Sequence, residues 1–252
     1  PLRATMHRIF TEEELALPLL RGRLLHAFAE AVALNVDSDV ARLKIMDAYQ
    51  EILAVPTWLR SYRLDTWRTV LDRPKMWIET HRHIFEQVGV EVEAEVTIAE
   101  GMKLRGRIDR LEKTMDGDYH IVDFKSGTNC PSKKAIADHV QLFTYQLILH
   151  HGAFDGTKIR PVRSTESGMT VDGATLVYPE KDTKNIWSIT QAAKTEEQLA
   201  EFENQLPDLL QALRGPELQA QRNPRCATCK LKPICPVFDT GKWTTEPTTN
   251  VS

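Results

Sequence analysis

From Val90 to Ile98 the chain alternates without a break: Val90, Val92, Ala94, Val96 and Ile98 are apolar, and Glu91, Glu93, Glu95 and Thr97 between them are polar. Successive side chains of a strand point to opposite faces, so this period of two requires a strand with one face on a core and the other in water. A turn at Glu100 and Gly101 leads to a second run, Leu104 to Leu111. A second turn at Asp116 and Gly117 leads to a third run, Tyr119 to Phe124, which ends at Ser126 and Gly127. Three strands joined by short turns predict an antiparallel meander.

The flanks have a different period. From Glu13 to about Val36, residues Leu17, Leu20, Leu24, Phe28 and Val32 recur at helical spacing, with Gly22 the one weak link. From Asp39 to Val88 the pattern is again helical. It is interrupted by Pro56 and Pro74, which predicts three helices rich in Trp and Tyr. Residues 133–150 read as helix, 157–173 as a polar loop, 174–178 and 185–189 as strands, and Lys194 to Leu213 as a long polar helix. The expected organisation is a helical region over 1–88, an α/β core over 89–193, a C-terminal helix and cysteine segment over 194–238, and a disordered Thr- and Pro-rich tail over 239–252.

With 252 residues, 42% of them apolar and 27% charged, the chain can bury a full core in one or two domains. Its net charge of −3 gives no global basic field, so any nucleic-acid binding must come from a local patch. No apolar run approaches the ~18 residues of a membrane span and no secretory pattern stands out, so a cytoplasmic protein with no membrane partner is expected. The chain opens on Pro1, and a segment preceding it is expected.

The second and third runs carry the chemistry. Asp109 lies in Gly106-Arg107-Ile108-Asp109-Arg110, and Asp123 and Lys125 flank Phe124. Asp123 and Lys125 are two apart and share a strand face, and pairing of the two strands can bring Asp109 alongside. Two close carboxylates repel unless a cation neutralises them, and hard oxygen ligands suit Mg²⁺ or Mn²⁺. A protonated Lys beside them can orient water or stabilise charge on a phosphorane. An isolated Asp-x-Lys is more often a solvated surface pair.

In order along the chain, Gly22-Arg-Leu-Leu-His26, Gly106-Arg-Ile-Asp109-Arg110, Val122-Asp123-Phe124-Lys125-Ser126-Gly127 and Gln141-x-x-x-Tyr145 resemble the RecB-like branch of the PD-(D/E)XK nucleases. The resemblance implies a restriction-endonuclease-like α/β core. It makes His26, Asp109 and Asp123 metal ligands, with the backbone carbonyl of Phe124 able to add a fourth, and Lys125 the catalytic lysine. Gln141 and Tyr145, four apart on one helix face, would reach the scissile phosphate or brace Lys125. Of the three glutamates on the first strand, Glu93 is the expected auxiliary, touching the metal through water.

Cys226-Ala-Thr-Cys229-Lys-Leu-Lys-Pro-Ile-Cys235-Pro236 resembles the C-terminal part of a [4Fe-4S] site in the iron–sulfur members of that family. The family places its fourth cysteine upstream of the Gly22 to His26 motif, and no cysteine stands there; Cys130 is the one other cysteine. Three readings stay open: a ligand preceding Pro1, substitution by Cys130, or an incomplete site. A zinc-stabilised nucleic-acid module is a further reading of the same thiolates.

The resemblance implies a metal-dependent DNA nuclease, acting on single strands as an exonuclease in repair, recombination, or phage or CRISPR DNA processing. The chain holds no Gly-x-x-x-x-Gly-Lys-[Ser/Thr], so a helicase motor would be a partner subunit or a fused domain. Lys103, Arg105, Arg107 and Arg110, Lys133 and Lys134, and the residues from Arg222 to Lys232 are the basic groups expected to track DNA. The competing class is a non-catalytic DNA-binding scaffold of the same fold, against which the intact Asp109, Asp123 and Lys125 speak.

Overall fold

The computed structural model describes residues 17–98, 101–181 and 186–214, and in the C-terminal part 220, 222, 223, 226, 227, 229 and 231–238. The helix start expected at Glu13, the turn residue Glu100, the strand start at 185 and the tail over 239–252 lie outside these residues. Leu15–Glu203 form one compact unit, and the chain from Asn204 onward belongs to a second.

Three helices open the first unit: α1 (Leu17–Ala33), α2 (Ser38–Ile52) and α3 (Thr57–His81). Asp37 caps α2, its carboxylate accepting from the Asp39 and Val40 N–H groups at 2.9 and 3.0 Å and satisfying two of the donors that a helix start leaves free. Pro56 precedes α3, where its fixed φ costs nothing, but Pro74 does not end the helix as expected. An interior proline costs a helix about 3 kcal/mol. Here Trp67, Val70, Leu71, Pro74, Trp77 and Ile78 form one buried stripe, and at about 1.5–3 kcal/mol for each large apolar side chain the packing outweighs that loss. Two helices, not three, therefore cover the 38–81 stretch.

The sheet has seven strands: β1 (Glu86–Thr97), β2 (Lys103–Lys113), β3 (Tyr119–Phe124), β4 (Gly152–Phe154), β5 (Lys158–Pro161), β6 (Val171–Tyr178) and β7 (Trp187–Ala192), in the spatial order β4-β5-β1-β2-β3-β6-β7. The meander β1-β2-β3 is antiparallel, as the alternation predicts. β6 runs parallel to β3, and the crossover between them carries the short helix α4 (Lys133–Ala137) and α5 (Val140–His150). A last helix, α6 (Glu196–Arg214), follows β7. The mixed sheet with helices is the α/β class expected. β4 and β5 were not expected; at three and four residues they are too short to show a period, and β5 is fixed by its parallel pairing to β1.

Helices α1 to α3 share a core with Val122 and Phe124 of β3 and Val177 of β6, while Asp123, between those two β3 residues, meets α5 on the opposite face. Strand β1 breaks its own alternation. Val90 packs with the α1–α3 core, yet a side chain placed on Gly89 would meet both Val92 and Leu111. Residues three apart on a regular strand face opposite ways, so the faces exchange between Gly89 and Val92. The residue that absorbs the exchange is Glu91, at φ +49°, a left-handed conformation that is rare for a side chain with a Cβ. Beyond it Ala94 pairs with Gly106, and Gly106 faces Tyr145 and Ile148 of α5.

Candidate active site

β2 and β3 hold their ladder as far as Arg110 and Val122 and then part. Asp109 fills the gap: its Oδ2 accepts the Phe124 N–H at 2.7 Å, a bond that takes the place of the next ladder rung. Helix α1 closes over this point. A Cβ on Gly22 would lie 2.9 Å from Ser126 Oγ, so the weak helix former in the first motif is where α1 meets the loop after β3. One turn later His26 places Nδ1 3.3 Å from Asp109 Oδ2. Gly22, His26, Glu91, Asp109, Phe124 and Lys125 line a cleft of about 640 Å³.

Lys125 is held on the cleft wall from two sides. Its Nζ lies 2.7 Å from Asp123 Oδ2 and donates to Gln141 Oε1 at 2.7 Å. Gln141 Nε2 in turn donates to Asp123 Oδ1 at 2.9 Å and meets the Tyr145 hydroxyl at 3.0 Å, and that hydroxyl donates to the Arg107 carbonyl at 2.7 Å. Gln141 and Tyr145 thus brace the Asp123–Lys125 pair from one face of α5. Gln191 secures α5 itself: it accepts from Gln146 Nε2 at 2.9 Å and donates to the Ile136 carbonyl at 2.8 Å. Burial, helped by the charge of Asp109, pushes the Asp123 carboxyl up to about 6 against the pull of Lys125. Burial pushes the Tyr145 hydroxyl up to about 12, so it remains a donor throughout the working range of pH.

The carboxylate that β1 contributes is Glu91, not the expected Glu93. His26, Glu91 and Asp109 each bring a ligand atom to within 4.8 Å of the others, whereas Glu93 lines a different groove. The reason is the exchange of faces at Glu91, which no alternation pattern can show. Register could have found it. Ile98 donates to the Met102 carbonyl at 2.8 Å, and seven residues outward from this pair on each side stand Glu91 and Asp109. Burial and the nearby Asp109 raise the Glu91 carboxyl above its ordinary value, with Arg107 opposing at 2.7 Å. Burial works against a charged His26, but the hydrogen bond and charge of Asp109, with Asp123 and Glu91 behind them, raise its pKa overall. Clustered carboxylates with an imidazole, of which Glu91 and His26 are shifted toward protonation, are a donor set that a divalent cation would relieve, and the set fits Mg²⁺ or Mn²⁺.

Other expected groups fall elsewhere. Arg110, expected on the DNA-facing surface, is 1% exposed and paired at 2.5 Å with the fully buried Glu112, because it lies opposite Val122 on the face that the helices cover. Gln87 completes that buried pair. Lys133 and Lys134 are exposed. Phe124 shows its N–H donating to Asp109. Cys130 donates to the Thr128 carbonyl at 3.4 Å in the first unit. In the second unit Cys226, Cys229 and Cys235 are all half-buried, and among the described residues they do not form a set that could grip a single ion. Arg222 and Lys232 sit over the Phe238 ring in the same unit.

No curated protein sequence matches the chain. Among solved structures, one titled "Crystal structure of SSO0001" aligns over 93% of this chain and 92% of that one at 16% identity, with a TM-score of 0.36, too loose a likeness to support an argument. The family model of the PD-(D/E)XK nuclease superfamily matches residues 2–236, a span that holds all four motifs and the carboxylate–lysine cleft between β2, β3 and α1. The chain belongs to the PD-(D/E)XK nuclease superfamily, whose members are metal-dependent phosphodiester hydrolases.

Proposed function

We propose that the chain hydrolyses DNA phosphodiester bonds with Mg²⁺ or Mn²⁺, acting on single-stranded DNA as an exonuclease of the RecB-like branch in repair, recombination, or phage or CRISPR DNA processing, alone or beside a helicase. The observation that carries this reading is the position of Lys125, fixed between Asp123 and Gln141 on the wall of the cleft where His26, Glu91 and Asp109 converge. His26, Glu91, Asp109 and Asp123 would hold the cation, which when bound supplies an activated water and charge balance at the leaving oxygen. Lys125 presents its side-chain nitrogen where charge grows on the phosphate oxygens. Gln141 fixes that nitrogen through its carbonyl, and Tyr145 fixes Gln141. The helical face of α1 lines one side of the cleft.

Asp123→Ala and Lys125→Ala test the assignment. Each is expected to lower Mn²⁺-dependent cleavage of a labelled single-stranded oligonucleotide by at least a hundredfold, with the melting temperature within a few degrees of the parent. Cleavage by either variant at near the parental rate would overturn the assignment.

For the C-terminal unit we propose a [4Fe-4S] cluster on Cys226, Cys229 and Cys235 that ties this segment down. The support is the sequence spacing alone, and the three cysteines supply three of the four thiolates that such a cluster takes. Stoichiometric iron and sulfide in anaerobically purified protein is the expected result; stoichiometric zinc without iron overturns it.

A further inference from the structure

Past the exchange of faces at Glu91, the side of the sheet away from α5 continues beyond the active-site cleft. By register Glu93 stands opposite Arg107 and Glu95 opposite Arg105 on β1 and β2, and Glu93 pairs with Lys158 on β5. These residues face the side that α1 to α3 occupy, but the helices do not reach them: the Arg105 and Arg107 side chains are 70% and 61% exposed. The bare strands floor a second groove of about 530 Å³, lined by Arg105, Arg107, Lys158 and Arg160 against Glu93 and Glu95. The groove lining carries four cations against two carboxylates, with Arg160 held from outside it by Glu166 at 2.7 Å. Arg107 lines both clefts, so the second groove leads directly from the first.

We infer that this groove is the track of the substrate strand beyond the bond being cut, binding the phosphodiester backbone of single-stranded DNA. The inference rests on the nuclease reading above and adds where the rest of the strand lies. Arg107 and Arg105 are two residues apart on one strand, which spaces them about 6.8 Å, a repeat that the phosphates of an extended strand can follow. Their present partners set them in place without locking them. Glu95 is shared between Lys103 at 2.8 Å and Arg105 at 2.6 Å, and Arg107 is held by Glu91 at 2.7 Å. The Glu95 pairs, exposed on both sides, contribute at most about 1 kcal/mol, so exchanging that carboxylate for a phosphate costs little. Arg107 also links the two sites, because a phosphate that draws it off Glu91 frees that carboxylate toward His26 and Asp109. Contacts to the backbone carry no base information, so the track would accept any sequence.

The test is fluorescence anisotropy of a labelled sixteen-nucleotide oligo(dT) bound to the full chain in chelator, over a range of salt concentration, for the parent, Arg105→Ala/Lys158→Ala and the control Arg63→Ala/Arg68→Ala. The control removes two exposed cations from α3, away from the groove. The groove variant is expected to bind on the order of tenfold more weakly, and the slope of log affinity against log salt to fall by about 1.4, two phosphate contacts at about 0.7 each. The control should keep the parental slope. A parent that cleaves and binds DNA alongside a groove variant of unchanged slope overturns the track and leaves the nuclease reading standing. Equal losses in both variants overturn the track as well, since the effect would then be general charge. A parent that neither binds nor cleaves overturns the nuclease reading, and the track with it.

Discussion

Gly106→Ala adds one methyl group and replaces none of the functional side chains of the site. On a strand the change ordinarily helps, because Gly is worse than Ala by about 0.5–1 kcal/mol in element interiors. Here the new Cβ would lie 2.8 Å from Tyr145 Cε1 and 3.5 Å from Ile148 Cδ1. The ring cannot swing away freely: Tyr145 is 7% exposed and its hydroxyl is tied to the Arg107 carbonyl at 2.7 Å and to Gln141 at 3.0 Å. Overpacking of this kind costs about 1–3 kcal/mol, so after the backbone gain the expected net loss is about 1–2 kcal/mol. For a chain of this size that lowers the melting temperature by about 2–8 °C. Cleavage should fall further than stability does, because moving Tyr145 loosens the Gln141 brace on Lys125 and Asp123. A double-mutant cycle with Tyr145→Ala isolates the cause: without the ring the same methyl group should bring only the backbone gain, giving a coupling equal to the overpacking cost, about 1–3 kcal/mol. A parental melting temperature for Gly106→Ala, or additive costs in the cycle, would refute the reasoning.

Asp123→Asn probes the buried charge. An acid whose pKa rises on folding, here from 3.8 to about 6, contributes stability that is fully present below its unfolded pKa and is lost as pH rises through about 6. In chelator the variant should therefore be more stable than the parent at pH 8, by the order of 1–3 kcal/mol, and show no advantage at pH 4 while cleaving nothing; a gain that is the same at both pH values sinks the argument. Glu91→Gly should melt no lower than the parent, since Gly adopts φ +49° without the 1–2 kcal/mol or so that a left-handed side chain costs, while Mn²⁺ affinity measured by calorimetry falls about tenfold. Glu93→Gly, in ordinary extended backbone, should do the reverse, losing about 0.5–1 kcal/mol with Mn²⁺ affinity kept, and matching behaviour of the two variants would mean that Glu91 is neither strained nor a ligand.

Much of this was legible in the sequence, for local reasons. Alternation from Val90 to Ile98 and turns at Gly101 and Gly117 specify the meander, because the strand period and turn chemistry are short-range properties. The same holds for Asp123 and Lys125, two apart across the end of β3, and for Gln141 and Tyr145, four apart on one helix. What was not legible depends on tertiary pairing. β5 is a strand because β1 offers it a partner, α3 runs through Pro74 because its neighbours on the stripe are buried, and Arg110 is sequestered because Glu112 waits beside it. None of these leaves a period in the sequence.

The most consequential miss, Glu91, follows from the one place where local and global patterns conflict. Had β1 kept its alternation throughout, Val90 and Val92 would face the same way, and either the α1–α3 core or the α5 core would lose a valine. The two cores lie on opposite sides of the sheet, and one strand serves both by turning over at a single residue. The residue at the crossing belongs to neither core. Its partner in register, Asp109, lies where β2 leaves β3, so both carboxylates come free of the packing at the same level and His26 descends on them from α1. Strain of this kind persists only where the surroundings over-determine it, and here a core on either side fixes the strand before and after the crossing. The left-handed glutamate is thus the conformational cost of giving one sheet two helical layers. The convergence of His26, Glu91 and Asp109 arises at the seam, which is why the rule that reads the strand correctly on both sides fails at the residue between them.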